Sequence, residues 1–108
     1  MTVIGTFTPT KDGYAGTIRT LTLNSEVQIV ATKIRKNEKM PQFRVLAGHT
    51  EIGAAWRRTK EGSQDNYLRI VLNDPLFPRP VWCALLEATE DGIARLVWMP
   101  ALRNDEVE

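Results

Sequence analysis

Turn signals recur along this chain at such short intervals that a helix of ordinary length has little room to form. Asp12-Gly13, Asn24-Ser25, Gly48-His49, Glu61-Gly62-Ser63, Asn73-Asp74-Pro75 and Asp91-Gly92 divide the 108 residues into short runs rich in Val, Ile, Thr and aromatic residues. Runs of this kind between turn signals predict an antiparallel all-β domain. Residues 25–36 come nearest to a helical pattern, and their β-branched content argues against one.

The expected strands are residues 3–8, 14–23, 26–34, 42–47, 51–58, 67–72, 81–88 and 93–99. Pro9 ends the first, and Asp12-Gly13 turns a hairpin because glycine reaches positive φ without a Cβ penalty. In the second, Tyr14, Gly16 and Ile18 share one face but Leu21 and Leu23 share the other, so a bulge near Arg19-Thr20 is expected. Alternation turns Phe43 and Val45 inward, then Leu68, Ile70 and Leu72, with Tyr67, Arg69 and Val71 outward. It also groups Ile52, Ala54 and Trp56 on one face opposite Arg57, which makes Trp56 a packing residue rather than a stacking platform. Trp82 and Trp98 read as core or interface residues, and Cys83, in step with Val81 and Leu85, as a buried structural thiol. Three prolines in residues 73–80 exclude a regular helix or a central strand there.

The fold expected is a single small all-β domain of seven to eight short antiparallel strands, its curved sheet barrel-like or sandwich-like. It would span residues 1–100, with residues 101–108 an acidic, frayed tail. An oligonucleotide-binding-like barrel is one candidate, although that fold usually has about five strands.

Composition narrows the setting. The chain has one cysteine, no apolar run long enough for a transmembrane helix and no basic-then-apolar leader, so a cytoplasmic protein without disulfides is expected. Its net charge of +1 hides an asymmetry: residues 1–86 carry a net +5 and residues 87–108 a net −4. The cations concentrate between Lys33 and Lys60, where Lys33, Arg35, Lys36, Lys39, Arg44, Arg57, Arg58 and Lys60 face only Glu38 and Glu51. Such a split accompanies contact with nucleic acid or an acidic partner.

Motifs for chemistry are lacking. His49 and Cys83 make no recognisable zinc arrangement, and His49 falls in a turn as an exposed polar residue. Ser25 and Ser63 have no nucleophile-elbow context, and the glycines form no phosphate-binding fingerprint. No catalytic residue, metal site or cofactor is expected; an enzyme would need His49, Glu51, Arg57 and Tyr67 to converge in one pocket.

Several motifs occur together in order: IGTFT (residues 4–8), GYAGTIRTLTLN (13–24), FRVLAG (43–48), EIGAAW (51–56), YLRIVLNDP (67–75) and FPRPVW (77–82). Together they resemble a small bacterial family called domain of unknown function 736, over about residues 2–98. The resemblance implies a cytoplasmic accessory of a conjugative plasmid or integrative element, since members of that family are typically encoded on such elements. It carries over no catalytic residue.

The function expected is therefore non-catalytic binding of nucleic acid, single strands favoured, in that mobile-element setting. Lys33, Arg35, Lys36, Lys39, Arg44, Arg57, Arg58 and Arg69 would contact phosphates and Tyr67 would stack on a base. The alternative is a protein-interaction module, an inhibitor or adaptor of a host defence or regulatory complex, acting through an exposed surface or strand edge. No membrane contact is expected, and a monomer or a homodimer fits either reading.

Overall fold

In the computed structural model the described residues form eight strands: β1 Thr2–Thr10, β2 Gly13–Arg19, β3 Asn24–Ala31, β4 Phe43–Ala47, β5 Thr50–Thr59, β6 Asn66–Leu72, β7 Val81–Leu86 and β8 Ala94–Trp98. The structure describes residues 2–21, 23–33, 37, 39–59, 66–75 and 77–99. Each strand pairs antiparallel with the next, and β8 returns to pair with β1. The result is a closed barrel with strands in sequence order. The all-β expectation holds in its barrel form, and the eight-stranded meander is not the five-stranded oligonucleotide-binding topology.

Alternate residues fill the interior. Phe7, Ile18, Val27, Ile29, Val45, Ile70, Leu72, Cys83 and Leu96 are each at most 2% exposed, and Ala55 and Ala94 fill the narrow places between them. An eight-stranded barrel is just wide enough for side chains to close its axis, which is what this core does. Each fully buried large side chain contributes about 1.5–3 kcal/mol relative to exposure. Gly16 belongs to the same inward row, and the Phe7 ring packs over it; a Cβ there would strike that ring and the Thr6 carbonyl.

Four local expectations need correction. β1 runs on through Pro9 to Thr10. Pro9 lies past the last β1–β8 pair, Phe7 with Ala94, so on that flank a missing N–H leaves no ladder bond unmade. β2 ends at Arg19 without the expected bulge. Thr20 and Leu23 instead close a turn, with Thr20 N–H donating to the Leu23 carbonyl at 2.7 Å and Leu23 N–H donating to Thr20 Oγ1 at 3.1 Å. Asn24 and Ser25, expected as a turn, open β3.

The fourth concerns Trp56. The β4–β5 register shifts between Val45 and Leu46, whose partners are Gly53 and Glu51, leaving Ile52 as the extra residue. Ile52 packs against the core, out of step with the rest of its strand. Past the bulge, Ala55, paired with Phe43 and Ile70, faces in, and Trp56 faces out. The bulge inverts the parity that simple alternation assigns. Trp82 is also half-buried and Trp98 is 42% exposed, so no tryptophan belongs to the buried core.

A meander sorts its connections. Those joining β1 to β2, β3 to β4, β5 to β6 and β7 to β8 gather at what we term the lower end. Those joining β2 to β3, β4 to β5 and β6 to β7 gather at the upper end.

Candidate nucleic-acid interface

The lower end collects cations that lie far apart in sequence. Lys33 and Lys39 come from the β3–β4 connection, and Arg57 and Arg58 from the last residues of β5; Lys33, Lys39 and Arg57 are exposed and Arg58 is half-buried. Lys11, which charge reading of residues 33–60 passes over, stands exposed in the β1–β2 turn at the same end. The signal for it was strand parity: every odd-to-even hairpin must return to this end. Arg35 and Lys36 of the expected set lie outside the described residues, as does the tail at 101–108.

Local contacts fix the backbone beneath these charges. Trp56 Nε1 donates to the Lys39 carbonyl at 3.1 Å, so the indole anchors the basic connection against β5. Arg57 N–H donates to the Gln42 side-chain oxygen, and Gln42 N–H donates to the Ala55 carbonyl at 3.0 Å. The Arg57 guanidinium lies 5.7 Å from the centre of the Phe43 ring, which caps the core from below. Arg58 Nη1 donates to the Arg57 carbonyl at 3.2 Å, and Arg58 stands opposite Tyr67 in the β5–β6 ladder. Tyr67 is half-buried, with Arg58 and Leu86 as its cross-strand neighbours.

Two expected contact residues stand elsewhere. Arg44 projects from the flank of β4 and is engaged by Glu51, Nε to Oε1 at 2.7 Å. Arg69 does point outward, in parity with Tyr67, but is only 3% exposed. Its guanidinium lies 6.0 Å from the Trp82 ring centre, between the Trp56 and Ala84 positions of the neighbouring strands. Alternation predicts which face a side chain takes; it does not predict that neighbouring tryptophans on the outer face will cover it.

The β7–β8 connection gives the lower end an acidic sector, with Glu87, Glu90 and Asp91 exposed. Asp91 is the organising group of its turn. It accepts from Arg95 Nη2 at 2.7 Å, from the Thr89 hydroxyl at 2.6 Å and from the Ile93 N–H at 2.9 Å. The Arg95 guanidinium first, then the Thr89 hydroxyl and the Ile93 amide, hold its carboxyl well below the usual carboxylate range. Gly92, at φ 77°, supplies the left-handed residue this turn needs.

The residues named for an enzyme do not converge. His49, in the β4–β5 turn, and Glu51, near the start of β5, sit at the upper end of the barrel, whereas Arg57 and Tyr67 sit at the lower end. Arg57 and Tyr67 do share a recess with Tyr14, Asn66 and Glu87, of about 10 Å³, room for about one water molecule. Cys83 lies wholly inside the barrel, and burial pushes its thiol up to about 12. Among the described residues no group of three or more His, Cys, Asp or Glu is placed to hold a metal ion, and no helix is long and apolar enough to cross a membrane.

These features define a closed, eight-stranded antiparallel meander barrel with a packed interior, whose lower end carries a group of cations beside an acidic sector. The chain belongs to the family described as protein of unknown function (DUF736), whose model matches residues 3–101. Neither a curated protein nor a solved structure matches it.

Proposed function

We propose that this protein is a non-catalytic accessory that binds nucleic acid, single strands in preference, through the lower end of its barrel. The observation that carries the reading is the convergence of Lys11, Lys33, Lys39, Arg57 and Arg58 at one end, with Tyr67 beside Arg58. Flexible cations neutralise phosphates, and a partly exposed ring offers one face to a base. The acidic sector at Glu87 and Glu90 borders this surface and would steer the strand across the basic side. In the mobile-element setting that the family resemblance implies, single-stranded DNA is the natural polyanion to meet. Arg44 and Arg69 are left out of the interface, one engaged by Glu51 and the other covered.

Fluorescence anisotropy with labelled single- and double-stranded oligonucleotides at low salt tests the reading. Binding at micromolar protein that weakens steeply with salt is expected; no binding at that concentration would sink it.

A protein-partner reading is favoured by one observation: Leu21 is fully exposed at the tip of the β2–β3 turn. Such a partner would dock on a surface and not add a strand, because closure leaves no free edge among the described strands. Retention of one defined partner after nuclease treatment, lost in Leu21→Asp, is its expected signature.

A further inference from the structure

The lower mouth of the barrel gathers polar side chains at inward-row positions. Tyr14, near the start of β2, packs against the core. Arg57 follows Ala55 on the inward row of β5 and lies over the Phe43 ring. Asn66 opens the row of β6 that continues in Leu68 and Ile70, and Glu87, just past β7, continues the row of Cys83 and Leu85. Leu68 and Leu85 floor the recess that these groups share with Tyr67.

Two of these groups are charged, and neither is paired among the described residues. Glu87 is exposed and takes part in no ion pair or hydrogen bond there. The Arg57 guanidinium rests only on the Phe43 ring, a weaker hold than a carboxylate would give. Asn66 between them is fixed by the Thr59 hydroxyl, which donates to its Oδ1 at 3.0 Å. An acceptor and a donor therefore stand open at one recess. Its volume of about 10 Å³ admits one exocyclic oxygen or amino group and not a whole ring. It suits the edge of a base that lies across the mouth.

Such a recess selects an edge by its pattern of donors and acceptors. A carboxylate only accepts, and its two oxygens can take two adjacent donors; a guanidinium only donates. Guanine presents two neighbouring donors on its Watson–Crick edge, N1–H and the N2 amino group, with the acceptor O6 beside them. Adenine and cytosine each offer one amino group next to a ring acceptor, and thymine one N–H between two carbonyls, so each sets an acceptor against the carboxylate. Resting on the nucleic-acid reading above, we infer that the lower mouth is a guanine-selective subsite for a single strand. Glu87 accepts from N1–H and the N2 amino group, Arg57 donates to O6, and the ring lies against the tyrosines at the rim, Tyr14 and Tyr67. Glu87 is the residue that sets the preference.

The test is competition, followed by fluorescence anisotropy at one low salt concentration, between a labelled oligothymidylate and unlabelled strands that differ from it in one central base. The strand with guanine should bind about tenfold more tightly than those with adenine, cytosine or thymine. Inosine, which is guanine without the N2 amino group, should lose most of that preference, and this arm needs no protein variant. Glu87→Gln should bring the guanine strand to within about twofold of the others. Equal binding of all four strands overturns the guanine subsite and leaves the nucleic-acid reading standing. A preference that survives in Glu87→Gln overturns the role of Glu87. Binding of no strand sinks the nucleic-acid reading and the subsite with it.

Discussion

Trp56 and Lys39 are joined by one hydrogen bond, indole Nε1 to main-chain carbonyl, at 3.1 Å. It ties a ring on the outer face of β5 to the backbone of the connection that carries the basic residues. The tryptophan thus serves the cationic end without facing it. Trp56→Phe keeps the ring and removes the donor. It should cost about 0.5–1.5 kcal/mol in chemical denaturation and weaken oligonucleotide binding only a few-fold, through looser placement of Lys39. A larger binding loss than stability loss would mean that the indole touches the ligand itself.

Charge reversal separates the interface from the arginines outside it. Arg57→Glu with Arg58→Glu should lower oligonucleotide affinity by about tenfold or more at low salt and make the salt dependence shallower. With Lys11, Lys33, Lys39, Arg57 and Arg58 all in contact, the slope of log K against log salt for a single strand should be about −3.5. Arg44→Ala should leave affinity unchanged and stability within about 1 kcal/mol, as an exposed ion pair allows.

Arg69→Ala should show the reverse pattern. The side chain is 3% exposed beside Trp82, so truncation removes packing as well as charge. A loss of about 1–3 kcal/mol in urea unfolding is expected, with binding intact once the protein is folded. Anisotropy and denaturation on the same sample decide it.

Cys83 makes a prediction about alkaline pH. Its folded-state pKa, about 12, lies above the unfolded value near 8.5, so the unfolded chain releases this proton first. The contribution to stability is fully present below about pH 8.5 and is lost as pH rises towards 12. Urea midpoints measured across pH 8–11 should fall with pH in the wild type, and less steeply in Cys83→Ala, whose overall stability is lower. The native thiol should also resist thiol reagents until the barrel unfolds.

Asp91 predicts the acid side. Its folded pKa lies below the unfolded carboxyl, so its contribution is present above about pH 4 and is lost as pH falls and the carboxyl protonates. Asp91→Asn should flatten the difference in urea midpoint between pH 6 and pH 3. An unchanged pH profile would show that the Arg95 contact is not sustained in solution.

Much of the barrel was legible in sequence. Short β-branched runs foretold all eight strands, the turn signals their boundaries except at Asn24-Ser25, and parity placed Leu68, Ile70, Leu72 and Cys83 correctly. Trp56 was misplaced because the bulge at Ile52 has no sequence signature in a run of small residues, Gly53, Ala54 and Ala55. Leu21 and Leu23 read as strand because a turn built on the Thr20 hydroxyl needs neither Gly nor Pro. The basic surface was half visible: its residues were evident as a charge run, but their separation into Lys39, Arg57 and Arg58 at one end and Arg44 and Arg69 elsewhere required strand direction. The recess at the lower mouth draws on β2, β5, β6 and β7 together, a juxtaposition that local spacing does not encode.

The seam between β1 and β8 has a kinetic consequence. Every other pairing joins consecutive strands, so hairpins can form from nearby residues, whereas Val3 must find Val97 across almost the whole chain. Loop closure over that span comes late in folding and rewards nothing until the other strands are ordered. The irregular register between Val3 and Gly5 falls on this same seam. Substitutions in β1 that weaken its pairing with β8 should therefore slow the final closing of the cylinder, whereas those within the β5–β6 hairpin should change when assembly begins.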